Sequence, residues 1–157
     1  KNGVIPKYNL QFLQYFLGLD IDAKAHDALG GVTTQKPISF WGCVDPVTGN
    51  ISDKRRELFG ESISGKALVF PFGKGSSTGS LMLLELLRLN LAPAASINVR
   101  TEPLLATGPV VGKHFYGKTV PIVNIDDADF NLLRSGMDAE VVSLPNDSCV
   151  RIRNRFR

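Results

Sequence analysis

From Gly65 onward the chain alternates strand-like and helix-like apolar runs, and that alternation limits its topology more than any other feature. Ala67 to Phe72 is a β-rich run. A glycine-serine loop follows, and Leu81 to Leu91 is apolar almost all round, with polar breaks only at Glu85, Arg88 and Asn90. Such a run reads as a buried helix. Ala95 to Val99 predicts a second strand, Pro103 to Tyr116 a broken helix, and Val120 to Ile125 a third strand. Asp127 is placed to cap a short helix through Leu133 that Gly136 would end. Strands separated by helices cannot pair as hairpins, so they pair in parallel through right-handed crossovers. The expected fold class is α/β.

The flanks read differently. Ala139 to Val142 and Cys149 to Ile152, joined through Pro145-Asn146-Asp147, predict a closing hairpin. Asn9 to Leu19 is apolar at Leu10, Phe12, Leu13, Phe16 and Leu17, a spacing that suits a short amphipathic helix or an edge strand equally. Pro37 precedes the apolar patch Ile38-Ser39-Phe40-Trp41, and Asp45-Pro46-Val47-Thr48-Gly49-Asn50 reads as a tight surface turn. At 157 residues the length is that of one ordinary domain. No window approaches the ~18 consecutive apolar residues of a membrane span, so no membrane partner is expected, and two isolated cysteines without a disulfide framework make a reducing, cytoplasmic setting the expectation.

Four of the eighteen basic residues are Arg151, Arg153, Arg155 and Arg157, so the net charge of +3 belongs to the C-terminus and the rest of the chain is nearly neutral. Alternating arginines could line one face of a terminal strand, but no aromatic platform accompanies them, and a nucleic-acid partner is not expected. Cys43 and Cys149 stand far apart without CxxC spacing. They make neither a zinc motif nor a disulfide framework, and no metal site is expected in this chain.

The chemistry is expected in the loop Gly73-Lys74-Gly75-Ser76-Ser77-Thr78-Gly79-Ser80. Its glycines permit close backbone approach by a ligand, and its hydroxyls sit where a strand hands over to a helix, whose first N–H groups favour an anion. It is not a Walker A loop, because Lys74 precedes the serines instead of following the last glycine. The bare pattern also allows a plainer reading, in which Ser76, Ser77 or Thr78 only caps the helix. His26 and His114 are distant in sequence and read as surface or core residues, so no general base stands beside these hydroxyls.

Several segments in order resemble the small, swivelling domain of the aconitase X family: Pro37-Ile38-Ser39-Phe40-Trp41-Gly42, Val44 to Gly49, Gly65 to Pro71, the glycine-serine loop, Ala92 to Ala95, and Glu102 to Gly108. The resemblance covers roughly residues 30 to 143. Residues 1–30 match poorly and are set apart as an N-terminal extension from a swivelling domain over residues 31–157. The resemblance implies a β/β/α layering like the fourth domain of aconitase, closing over a larger catalytic subunit or domain that carries an iron-sulfur cluster. No cofactor is implied in the small chain itself. Aligned with the Gly-x-Gly-Ser-Ser-Arg loop of aconitase-like enzymes, the base serine falls on Ser76, with Lys74, Gly75, Ser77 and Thr78 as substrate contacts. Thr78 stands where those enzymes have arginine, which removes a bidentate carboxylate donor and implies a different substrate. Two branches fit, dehydration of cis-3-hydroxy-L-proline or of mevalonate 5-phosphate. Phe40-Trp41 and the connection His114-Phe115-Tyr116-Gly117-Lys118 favour the first, and Lys74 with Thr78 keeps the second open. Cys43, where the family often has glycine, reads as a small packed residue. The competing expectation is a non-catalytic phosphate-binding or accessory module.

Overall fold

The computed structural model describes residues 3–6, 23–28, 30–75, 77–143 and 148–153. Among these, strands β1 (Gly3–Pro6), β2 (Ala23–Ala28), β3 (Val32–Thr33), β4 (Ala67–Phe72), β5 (Ala95–Arg100), β6 (Ile122–Asn124), β7 (Asp138–Ser143) and β8 (Ser148–Arg153) form two four-stranded sheets. Helices α1 (Phe40–Cys43), α2 (Ser77–Arg88), α3 (Pro103–Tyr116) and α4 (Asp127–Phe130) connect them. The sheet β3-β4-β5-β6 is wholly parallel, as the alternation requires. The other, β1-β8-β7-β2, is antiparallel, and the expected hairpin is its centre.

The pleat of β4 and β5 explains the layering. Ala67, Val69, Ala95 and Ile97 face one way and pack with Val141 and Val150 of the antiparallel sheet. Leu68 and Phe70 face the other way, into a core shared with Leu83, Leu86 and Leu87 of α2 and Leu105 of α3. Alternate residues of a strand point to opposite faces, so a sheet buried on both sides must be apolar in both rows, which is why these strands read as continuous apolar runs. The result is the three-layer β/β/α arrangement.

Three local expectations are corrected. The helix from Leu81 is not buried all round: Leu81 is 62% exposed and Leu89 36%, while Leu83, Leu86 and Leu87 form the buried stripe. The helix over Pro103–Tyr116 is unbroken despite Pro109. Proline removes one helical hydrogen bond there, and close packing of α3 on α2 on either side of it offsets the loss. The last helix is capped by Asp126, whose carboxylate accepts the Asp129 N–H at 2.7 Å, and ends at Phe130.

Residues set apart as an extension contribute β1, which pairs with β8, and β2, which pairs with β7. The amphipathic stretch from Asn9 to Leu19 and the turn Pro145-Asn146-Asp147 lie outside the described residues, as do residues 154–157. Arg151, the first of the terminal arginines, is in β8 and pairs with Glu140 opposite it at 3.3 Å.

Candidate functional site at the carboxyl edge of the parallel sheet

Ligands of open parallel sheets sit beyond the carboxyl ends of the strands. Here that edge is formed by the ends of β4, β5 and β6, tied together by a buried polar group. Asn98 donates from Nδ2 to the Phe70 carbonyl at 3.1 Å and accepts from Ser96 Oγ at 2.8 Å, while its own carbonyl accepts the Ile125 N–H at 2.8 Å. A satisfied polar group under two helices fixes the strand ends more strictly than apolar contacts would, since any slip strands it without partners.

The loop leaves β4 at Phe72 and is held by the segment before α1. Ile38 donates its N–H to the Phe72 carbonyl at 3.2 Å and accepts from Lys74 N–H at 2.7 Å, so Ile38 and Gly73 meet as a short parallel bridge. Gly75 adopts φ +129°, a conformation that a side chain would strain. Helix α2 then starts at Ser77. A cleft of about 20 Å³, room for about one water, lies between this loop and the start of α3, lined by Ile38, Gly73, Lys74, Gly75, Glu102 and Leu104 among others.

The loop's hydroxyls separate into two kinds. Ser80 is buried and 2.6 Å from Thr107 Oγ1, which donates its one proton to the Leu104 carbonyl at 2.7 Å. Ser80 is therefore the donor to Thr107, and its hydroxyl is committed to joining α2 and α3. The same joint requires Gly108, where a Cβ would fall 2.5 Å from the Ser80 carbonyl oxygen. Ser77 is exposed at the start of α2, and Thr78, half-buried beside it, has a polar contact of its own. Neither lines the cleft, whereas Lys74 and Gly75 do. Ser76 lies outside the described residues.

The structure brings Glu102 into the cleft, a residue the sequence reading did not single out. Its signal was available: it immediately precedes Pro103, the proline that opens α3, and so stands at the sheet edge. His114 is exposed at the far end of α3, edge-on to Phe115, about 16 Å along the helix from its start by the rise per residue. His26 is in β2, on the antiparallel sheet. The carboxyl groups whose pKa is lowered from the ordinary value lie in turns and ion pairs outside the cleft. Asp45 is lowered by the Val47 N–H and the Thr48 hydroxyl, Asp53 to about 2 by Arg55, Glu57 by Thr34, and Glu85 by Arg88.

Nor do the cysteines fit a cluster. Cys43 is buried among Phe40, Val44 and Ile51, and Cys149 is buried in the antiparallel sheet. Among the described residues no three His, Cys, Asp or Glu side chains gather as a metal site, and no helix is long and apolar enough to cross a membrane. The described lining of the cleft thus carries a glycine-rich loop, one lysine and one glutamate, and no metal-ligand set.

A β/β/α module with a glycine-serine loop at one exposed edge is the class of a swivelling domain. The signature of the aconitase X swivel domain matches residues 25–152. The phosphomevalonate dehydratase small subunit of Methanothrix thermoacetophila is 38% identical over 134 residues, spanning 82% of this chain and 98% of that protein. That of Thermococcus kodakarensis is 40% identical over 110 residues, 70% of this chain and 77% of that one. The crystal structure of Thermococcus kodakaraensis aconitase X in its holo-form superposes with a TM-score of 0.72 at 34% identity, covering 86% of this chain and 95% of that chain. The chain belongs to the aconitase X swivel domain family.

Proposed function

We propose that this chain is the small subunit of a dehydratase acting on mevalonate 5-phosphate, and that it brings Ser76 to an active site built mainly by a larger subunit carrying an iron-sulfur cluster. The observation behind this is the incompleteness of the sheet edge: an anion-compatible loop with Lys74 and Glu102 in its cleft, and no metal-ligand set beside it among the described residues. Such an edge has chemistry only against another surface. In the dehydration, Ser76 as alkoxide takes the proton from the carbon next to the substrate carboxylate. The C–H electron pair becomes the double bond, the hydroxyl on the neighbouring carbon leaves as hydroxide, and the proton taken up by Ser76 passes to it, so that one water is lost and the alkoxide is restored. Gly75 lets backbone approach the substrate, Lys74 offers charge, and Ser77 and Thr78 offer donors at the start of α2, where developing negative charge is stabilised. Residues 31–157, together with the paired strands β1 and β2, form the swivelling unit.

The substrate choice departs from the one the sequence favoured. Phe40 packs edge-on against Phe70 in the core, with ring centroids 6.1 Å apart, and residues 114–118 lie at the end of α3 remote from the loop. Phe40 is thus core while Trp41 beside it is exposed, so of these features only Trp41 is open to a substrate. The relatives named above carry the phosphomevalonate name, and the phosphate branch is the better supported. The purified complex of this chain with its larger subunit should dehydrate mevalonate 5-phosphate and leave cis-3-hydroxy-L-proline unchanged, with this chain alone inert. Turnover of hydroxyproline instead, or phosphate binding by the lone chain with no enzyme formed on adding the partner, would reject it.

A further inference from the structure

Thr78 leaves the loop without the guanidinium that aconitase-like loops carry, yet the same sheet edge holds another one. Arg100 is the last residue of β5 and lies in register with Phe72, the last residue of β4 before the loop. Its Cζ is 4.6 Å from the centre of the Phe72 ring. A guanidinium laid on an aromatic face is oriented without using its in-plane N–H groups, which stay open to a planar or tetrahedral oxyanion.

The other arginines with described side chains are all engaged. Arg55 and Arg56 pair with Asp53, Arg88 with Glu85 and Arg151 with Glu140, while Arg134 donates to the carbonyls of Asn131 and Leu133. Arg100 is exposed, rests on a ring, and forms no ion pair with a described carboxylate, Glu102 two residues on included. An arginine held in place but given no acceptor among the described residues, at the edge where the loop begins, is arranged for an acceptor from outside the chain. We propose that Arg100 binds an oxyanion of the substrate and is the specificity-determining guanidinium of this small subunit, in place of the one missing at Thr78. This rests on the dehydratase reading above and adds a residue that reading does not use.

The substrate offers two oxyanions, carboxylate and phosphate, and one experiment separates them. In the complex with the larger subunit, Arg100→Gln should raise KM for mevalonate 5-phosphate about tenfold or more, as for loss of a charge-assisted pair, with kcat little changed. Arg100→Lys should recover part of it. Inhibition by inorganic phosphate should weaken by the same factor if the phosphate is the group bound, and inhibition by unphosphorylated mevalonate if it is the carboxylate. Complex assembly, followed by sedimentation, should match the wild type. Unchanged KM and unchanged inhibition by both anions would overturn the proposal, and so would a variant whose whole defect is weakened assembly, since Arg100 would then serve docking. If the wild-type complex ignores mevalonate 5-phosphate, the substrate reading fails alone, and the same comparison is run with whichever hydroxy acid it does dehydrate.

Discussion

The two sheets are built from the chain in opposite ways. The parallel sheet takes β3 to β6 in sequence order, each strand following its neighbour, and its carboxyl edge carries the cleft lined by Lys74, Gly75 and Glu102. The antiparallel sheet joins the two ends of the chain, pairing residues 3–6 with 149–152 and residues 23–28 with 139–143, and its role is to cover the face that the helices leave bare. One half positions a loop; the other closes a core. The contrast teaches that the covering sheet is asked to bury Ala67, Val69, Ala95 and Ile97, while the parallel half is constrained down to the hydrogen bonds of Asn98.

That division predicts unequal consequences for equal losses of core. Leu86→Ala removes a fully buried side chain from beneath α2 and should cost about 2 to 5 kcal/mol, with reduced kcat in the complex because α2 carries the end of the loop. Val141→Ala, equally buried between the sheets, should cost about 1.5 to 3 kcal/mol and leave kcat unchanged. Urea denaturation and steady-state rates on both variants measure this. A Val141→Ala complex that stays folded yet loses turnover would break the division of labour.

A second comparison lies within the loop. Ser76→Ala in the complex should lower kcat by at least ~10²-fold, the lower end for losing a positioned acid-base group, with folding intact. Ser80→Ala should act the other way round, lowering stability by about 1 kcal/mol for a lost buried hydrogen bond with a smaller effect on kcat. Near-full kcat in Ser76→Ala would return that hydroxyl to helix capping and move the base to the partner.

The parallel half was legible because its order is local. β4, β5 and β6 announce themselves as short apolar runs between turn formers, and β4 runs over the residues expected, whereas the two-residue β3 was not expected as a strand. The hairpin β7–β8 was legible for the same reason. β1 and β2 were not, since Gly-Val-Ile-Pro is a four-residue run ending in proline, Ala-Lys-Ala-His-Asp-Ala carries little strand propensity, and both pair with residues more than a hundred positions away. Both are edge strands, where Pro6 is tolerated. At the site, Lys74 and Gly75 were legible from the glycine pattern. Arg100, Glu102 and the Ser80–Thr107 joint were not, because each acquires its role from a neighbour in another element.

The smallest expected effect separates the two halves by acid. The carboxylates with lowered pKa, Asp45, Asp53, Glu57 and Glu85, all belong to the parallel half and the turns beside it. Asp53 is the most displaced, held at about 2 against an ordinary 3.8 by hydrogen bonds from Arg55. A depressed folded pKa means that the stabilisation is complete above the unfolded value and is lost as pH falls through the folded one. Asp53 therefore supports the fold fully above pH 3.8 and ceases to do so as the pH drops through about 2. Its second partner, Arg56, donates to the Pro37 carbonyl at 2.6 Å, and Ile38, the next residue, is the one that clamps the loop at Phe72 and Lys74. Protonating Asp53 thus loosens the strap over the loop before it touches either core. Asp53→Asn should unfold at lower urea concentration than wild type at neutral pH, with the difference shrinking towards pH 2. Amide exchange at Lys74 should rise in the variant while that of Val141 and Val150 stays put. Equal rises in both places would mean that the strap and the covering sheet unfold as one, and that the two halves are not separable in the way their construction implies.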